Sequence, residues 1–128
     1  MIKEKMRKTH QDRVDALIGH FWKDGYLTVS RKYGQYLPTP QPVGHYEIDA
    51  LGKFKKVYVI GIVLSENEIT EPKLRSKLDY LSSRNTKYSN KRIKLFIGVP
   101  KRFVKNIYEV VSQLPKENQD SIKIIITD

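Results

Sequence analysis

The sequence predicts an α/β domain in which a mixed β-sheet is flanked by helices. Three features predict it: an amphipathic helix near the start, two β-prone runs at 43–64 joined by a turn, and later helical segments that each precede a β-prone run. Strands joined by a hairpin and then strands joined through helices give antiparallel and parallel neighbours in one sheet. The predicted order is α-β-β-β-α-β-α-β. The length of 128 residues suits a single domain spanning 1–128.

The first helix is predicted from a capping pattern followed by an apolar stripe. Thr9 and Asp12 have the spacing of a capping box, and Gly25 suits a left-handed C-terminal cap. The stripe has the i, i+3, i+4, i+7, i+8 spacing of one helix face. Its members are Val14, Leu17, Ile18, Phe21 and Trp22. Residues 1–8 are basic and are predicted to form a flexible arm.

Three strands are predicted after this helix, at 26–30, 43–51 and 56–64. A proline-rich segment, 31–42, reads as an extended loop, and Gly52 with Lys53 reads as a hairpin turn. The third run is apolar on both alternating sets of positions. A strand of that kind is typical of a central position that is buried on both faces.

The remaining elements alternate between helix and strand. Thr70, Glu71 and Pro72 suit the start of a second helix, whose buried stripe is Leu74, Leu78 and Leu81. A strand at 93–99 follows a polar basic loop at 82–92. A third helix is predicted between the prolines at 100 and 115, and a final strand at 121–127.

Composition restricts the function classes. The net charge is +10 and the sequence pI is about 9.7, which favours a nucleic-acid partner or, less often, an anionic membrane surface. The alternative is that the charge serves only solubility. There is no cysteine, so disulfides and thiolate metal sites are excluded. No apolar run approaches the roughly 20 residues of a membrane span, and we expect a cytoplasmic protein without a membrane partner.

Basic residues are clustered in two places. Between residues 80 and 108 there is no acid, and serine, threonine and asparagine side chains there are suited to phosphate oxygens. The loop at 31–42 alternates basic residues with Tyr33 and Tyr36, a combination that can stack bases and neutralise phosphates. The candidate nucleic-acid contacts are Arg31, Lys32, Arg84, Lys87, Lys91, Arg92, Lys101 and Arg102. Ordinary solvated loops are the alternative interpretation.

From about Thr9 to Val99 the element order resembles the α-β-β-β-α-β core of the restriction-endonuclease-like (PD-(D/E)XK) superfamily, nearest to archaeal Holliday-junction-resolvase-like members. In such nucleases acids on the first helix and second strand, with a Glu-x-Lys on the third strand, bind Mg²⁺ and stabilise charge on the scissile phosphate. Asp15 matches the helix acid and Asp49 the strand-two aspartate. Gly61 and Val63 stand where the Glu-x-Lys is expected.

Replacement groups for that motif lie nearby. Glu47 and Asp49 are two residues apart, so on a strand both would face one side and could bind a metal together, with His45 beside them. Glu66 follows the third strand as a candidate migrated acid, and Glu68 lies close to it. The lysines at 53, 55 and 56 could supply a displaced cation. The alternative is an exposed strand face of ordinary polar residues.

Three functions therefore stay open. The first is DNA binding by a nuclease-like domain that has lost standard catalysis. The second is a metal-dependent DNA endonuclease with a rearranged site, in which Asp49 and Glu47 hold Mg²⁺ and Glu66 and Asp15 assist. The third is a non-catalytic protein-interaction or assembly module. Nucleases of this fold often act as dimers, so homodimerisation is compatible with each of the three.

Overall fold

A computed structural model describes residues 9–87 and 89–128 of the chain, and these form a five-stranded mixed sheet flanked by helices. The strands are β1 Leu27–Arg31, β2 Ala50–Phe54, β3 Val57–Val63, β4 Lys94–Val99 and β5 Ile122–Ile126. The helices are α1 His10–Lys23, α2 Glu66–Ile69, α3 Leu74–Ser82, α4 Val104–Ser112 and α5 Lys116–Asp120, with a 3₁₀ turn at Lys101–Phe103. The predicted α/β class, with a mixed sheet flanked by helices, is confirmed.

The strands lie in the sheet in their order along the chain. β1 pairs with β2 and β2 with β3 in antiparallel fashion, whereas β3–β4 and β4–β5 are parallel. The parallel neighbours are joined through helices because a parallel pair needs a crossover connection. β3 is therefore central, and its residues from Val59 to Val63 are all buried, as its apolar sequence predicts.

Two apolar clusters sandwich the sheet. On one face the buried stripe of α1, including Leu17 and Phe21, packs against Ala50, Val59 and Val63. On the other face α3 and α4 pack against the opposite side chains of β3 and β4. Alternate residues of a strand point to opposite faces, so each central strand contributes to both clusters.

Several local predictions are confirmed. Thr9 caps α1 through a reciprocal hydrogen-bond pair with Asp12, and Gly25 has a positive φ of 90° just after the helix. The predicted stripe of α3 is buried. The third predicted helix is present as the 3₁₀ turn followed by α4, and the final strand is present as β5.

The second strand begins later than predicted. Val43 and Tyr46 form an isolated bridge around a turn in which Gly44 has a φ of 62°, and β2 starts only at Ala50. Apolar and polar residues alternate in this segment as they do in a strand, but the turn at Gly44 interrupts the extended backbone. The prediction that His45, Glu47 and Asp49 lie on one face of a single strand is therefore wrong.

The hairpin turn between β2 and β3 also differs from the prediction. Gly52 lies inside β2 opposite Val59, and the turn falls at Lys55, whose φ is 54°. A Cβ atom at Gly52 would lie 2.9 Å from the Phe21 ring. Glycine at this position therefore permits close packing of α1 on the sheet and does not form a turn.

One helix prediction needs correction, and one short helix was not predicted. Ser65 and Glu68 form a capping box that starts the short helix α2, and Thr70 follows its last residue, donating to the Glu66 and Asn67 carbonyls. Thr70 therefore ends one helix and does not begin the next. The short helix α5, which starts after Pro115, was not predicted.

Trp22 was predicted to lie in the buried stripe of α1, and this is wrong. It is 66% exposed and donates its indole N–H to Thr28 on β1 over 3.2 Å. The predicted arm at 1–8 lies outside the described residues. Within the described ranges, no helix is long and apolar enough to cross a membrane.

Candidate functional site

The candidate acidic site is centred on Asp49, which lies immediately before β2. Its backbone N–H donates to the Gly61 carbonyl over 2.9 Å, and its own carbonyl accepts from the Lys32 N–H over 2.9 Å. The side chain is 7% exposed, and its Oδ2 accepts a 2.7 Å hydrogen bond from the backbone N–H of Val63. The main chain of Asp49 is therefore held between β3 and the residue that follows β1, and β3 also donates to its carboxylate.

The second oxygen of Asp49 faces two nitrogen-bearing side chains. Nε2 of His10 lies 3.2 Å from Oδ1, and Nζ of Lys32 lies 3.6 Å from it. The same ammonium group lies 3.6 Å from Oε2 of Glu47. Lys32 therefore bridges the two carboxylates that were predicted to share a metal ion. A cation between two carboxylates lowers their mutual repulsion in the way that a metal would.

His10 also contacts Tyr33 on its other side. Nδ1 of His10 lies 2.7 Å from the Tyr33 hydroxyl, so the imidazole lies between this hydroxyl and the Asp49 carboxylate. The imidazole is at ion-pair distance from Oδ1 of Asp49, but this oxygen accepts no hydrogen bond from the described residues. Tyr33 has a φ of 62°, which is uncommon for a side chain of this size. The loop after β1 therefore places the tyrosine hydroxyl against the first turn of α1.

The other predicted catalytic acids have separate partners. Asp15 on α1 is paired with Arg31 at the end of β1. Glu66 at the start of α2 is paired with Arg102. Within residues 9–87 and 89–128, no three histidine or acidic side chains are grouped so that they could hold a metal ion. Each of the four predicted catalytic acids thus forms an ion pair with a basic side chain of this chain. Only Glu47 and Asp49 share the same basic residue, Lys32.

The third-strand positions leave no room for the missing Glu-x-Lys. A Cβ atom at Gly61 would lie 2.6 Å from Leu17 and 2.8 Å from Phe21, and both of these side chains are completely buried. Val63 packs in the same apolar cluster beneath α1. The sheet face on which a catalytic side chain would stand is therefore occupied by the helix.

The predicted nucleic-acid contacts divide into two groups. Arg31, Lys32 and Arg102 are engaged with acids as described above, and Arg92 lies 3.6 Å from Glu117 while donating to a backbone carbonyl. Arg84 stacks on Tyr80, with its guanidinium carbon 3.9 Å from the ring centroid. The second group comprises the exposed lysines Lys87, Lys91 and Lys101, of which Lys87 also has an interaction within the chain.

A cleft of about 980 Å³ opens on the sheet face opposite α1, and it is called the basic cleft below. Val29, Leu51 and Tyr58 form its floor, with the buried side chains of Ile48 and Ile60 beneath them. Its walls come from residues 38, 39, 41–43, 84–87, 89 and 93. Four cationic side chains line it, and no acid does so among the described residues. These cations are Lys53, Lys56, Arg84 and Lys87.

Sequence reasoning identified parts of this cleft but not the whole. Arg84 and Lys87 were predicted phosphate contacts, whereas Lys53 and Lys56 were considered only as displaced catalytic cations. No local sequence signal marks the whole cleft, because the cleft arises where α3 and α4 cover only part of the sheet. Apolar residues at the β1–β2 end of that face are left without a helix above them.

Comparisons of this chain with protein-family models, with curated proteins and with solved structures gave no match.

Proposed function

We propose that this domain binds DNA through the basic cleft and does not cleave it by metal-dependent catalysis. The observation that carries the proposal is the cleft itself, where Lys53, Lys56, Arg84 and Lys87 surround a concave surface without an acidic neighbour in its described lining. A nucleic-acid backbone is a common biological polyanion that such a surface would attract. Neutralisation of its phosphates by lysine and arginine side chains supplies most of the affinity of non-specific nucleic-acid binding.

The arrangement of the acids supports the non-catalytic half of the proposal. Asp49, Glu47 and Asp15 each have a cation of this chain at ion-pair distance. A divalent ion would have to displace Lys32 before it could bind the carboxylates of both Glu47 and Asp49. A Glu at position 61 would also clash with α1, so the usual third carboxylate has no place on β3.

The order of the elements supports a nuclease-like origin. From α1 to β4 the chain contains one helix, three antiparallel-connected strands, a helix and a parallel strand, with α2 as a short addition. This is the order that the resemblance to restriction-endonuclease-like proteins implies. A fold of that kind hosts many activities, so the function has to be argued from the site.

The test is fluorescence anisotropy with labelled duplex, single-stranded and four-way-junction DNA, over a salt series from about 50 to 200 mM. We expect salt-dependent binding that weakens about tenfold or more in the double variant Lys53→Ala/Lys56→Ala, with a salt slope reduced by nearly two. Lys73→Ala/Lys105→Ala is the matched control, because it removes the same charge from exposed positions outside the cleft.

Two results would contradict the proposal. Equal losses in both double variants would mean that net charge, and not the cleft, attracts the DNA. Cutting of any substrate with Mg²⁺ or Mn²⁺ that disappears in Asp49→Asn, whose amide oxygen can still accept from the Val63 N–H, would show a working nuclease with a rearranged site. We expect no cutting in either protein.

A further inference from the structure

We infer that the floor of the basic cleft takes an unpaired nucleobase, so that single-stranded nucleic acid is the preferred ligand of this domain. The inference rests on the proposed nucleic-acid binding and names the form of ligand that the cleft fits. It follows from three properties of the cleft: its apolar floor, its ring of cations and the neutral polar groups on its walls.

The apolar floor is the first property. Val29 on the edge strand is 41% exposed, and Leu51 and Tyr58 beside it are only partly buried. The cleft volume of about 980 Å³ lies at the upper end of the range of small-molecule sites, about 300–1,000 Å³. A concave, mostly apolar cleft with a few polar groups is the usual form of a ligand site.

The ring of cations is the second property. Lys53 lies over the ring of Tyr58, with its Nζ 5.2 Å from the ring centroid, and Lys56 follows in the β2–β3 turn. Arg84 and Lys87 line the cleft from the loop that follows α3. An occupant therefore needs apolar faces for the floor and negative charge beside them. A nucleotide combines a flat aromatic base with a phosphate on each side of its sugar.

The walls supply neutral hydrogen-bonding groups as the third property. Gln41 and Asn85 carry exposed amides, and Thr39 adds a hydroxyl. Amide and hydroxyl groups can donate to and accept from the edges of bases without a charge requirement. An acidic amphipathic peptide could pair with the cations and cover the apolar floor, but it would form fewer hydrogen bonds with these amide and hydroxyl groups.

Duplex DNA would leave the floor empty. In a duplex the bases are stacked and paired inside while phosphates face outward, so only the cations of the cleft could make contact. An unpaired base can leave the strand and cover apolar or aromatic surface, which contributes sequence-tolerant affinity. The apolar floor thus discriminates between paired and unpaired ligands, whereas the cations do not.

The test compares three ligands of equal length, about twelve nucleotides: a single strand, its duplex, and an abasic strand that keeps the phosphates but lacks the bases. We expect the single strand to bind at least about tenfold more tightly than the abasic strand, and more tightly than the duplex. The ratio of the first two affinities isolates the contribution of the bases from that of the charge.

A pair of variants on one strand locates the effect. Val29→Asp places a hydrated charge on the cleft floor, and Leu27→Asp adds the same charge at a position that is 75% exposed and outside the cleft. We expect the ratio to fall to about one in Val29→Asp and to keep its wild-type value in Leu27→Asp. Thermal denaturation of both variants checks that the fold is retained.

The outcomes separate the two proposals. Salt-dependent binding in which the abasic strand equals the normal strand would overturn the inference and leave the proposed function intact. Binding to none of the three ligands would overturn both. Displacement of the single strand by an acidic, leucine-containing peptide at lower concentration than by the abasic strand would assign the cleft to a protein partner instead.

Discussion

The carboxylate of Asp49 accepts a 2.7 Å hydrogen bond from the backbone N–H of Val63, one of the two positions at which the nuclease resemblance expects a charged side chain. The acid is thus directed toward the main chain of β3, and not toward a side chain on it. Together with Lys32 and His10 on its other oxygen, this bond gives the buried charge partners from within the chain. Asp49 therefore has a structural role that does not require a metal.

We expect Asp49→Ala to destabilise the fold by about 2–3 kcal/mol, because it removes the partner of the buried Val63 amide and leaves Lys32 and His10 without their anion. Asp49→Asn should cost less, since its amide oxygen can still accept from Val63. Urea denaturation near pH 7 measures both.

Glu47→Ala is the control for this prediction. The Glu47 side chain is 79% exposed, and its ion pair with Lys32 is on the surface, so we expect a change within about 0.5 kcal/mol. If Asp49→Ala were as mild as Glu47→Ala, the structural role of Asp49 would be refuted.

Gly61 permits the close approach of α1 to β3, and a side chain there should be costly. We expect Gly61→Ala to destabilise the fold by about 1–3 kcal/mol, because its Cβ would meet Leu17 and Phe21 inside 3 Å. Gly61→Glu should be worse, since it adds a buried charge, and restoring the motif with Val63→Lys as well should not create cleavage.

Gly19→Ala is the matched control, because a Cβ atom at this helix position meets nothing within 4 Å. It should stabilise the fold by up to about 1 kcal/mol through helix propensity. Thermal denaturation of the two alanine variants tests the pair. A neutral effect at position 61 would mean that the helix can move away and that β3 could accept a catalytic side chain.

The sequence predicted those elements whose signals are local. The capping box at Thr9 and the apolar stripe of α1 depend on contacts within a few residues, and the structure has both. The error at Trp22 has a tertiary cause, because the sheet beneath α1 covers only part of its apolar face. The late start of β2 depends on the positive φ of Gly44, which alternating hydrophobicity does not report.

The candidate site was less predictable because its partners come from distant segments. Asp49 was identified from its place in the sequence, but Lys32 and His10 lie 17 and 39 residues before it. Nothing in the local spacing of Glu47 and Asp49 indicates a cation between them. The basic cleft depends on how far α3 and α4 extend over the sheet, which is a property of packing and not of any one segment.

Glu68 provides a test of stability against pH. Burial opposes its ionisation, but the hydrogen bonds from Ser65 and the charge and hydrogen bond of Lys77 outweigh this, so the pKa of Glu68 lies below its ordinary value. A carboxyl group with a lowered pKa stabilises the fold above its unfolded-state pKa, and this contribution is lost as the pH falls through the folded-state pKa.

We therefore expect Glu68→Gln to be less stable than the wild type above about pH 5, by under about 1 kcal/mol because the group is partly exposed. The difference should vanish as the pH falls toward about 3. Urea denaturation across this range measures it, and Lys77→Gln should reproduce much of the effect. A difference that persists unchanged at acid pH would indicate lost packing instead of lost charge.

His20 on α1 should make the fold less stable at acid pH. Burial, with the nearby charges of Lys23 and Lys123, lowers the pKa of His20 despite the opposing effect of Asp24. The unfolded chain then binds a proton more readily than the folded chain. Stability should therefore fall as the pH drops below the ordinary histidine value of about 6.5, and His20 should have no effect on it at higher pH.

We expect His20→Gln to remove part of the decline in unfolding free energy between about pH 7 and 5, while stability near pH 8 changes little. Lys123→Gln should reduce the decline less, because it removes only one of the charges that disfavour the protonated ring. Urea denaturation at several pH values compares the three proteins. If the decline in His20→Gln equals that of the wild type, proton uptake at other groups must cause it, and the environment of His20 does not destabilise the protonated form.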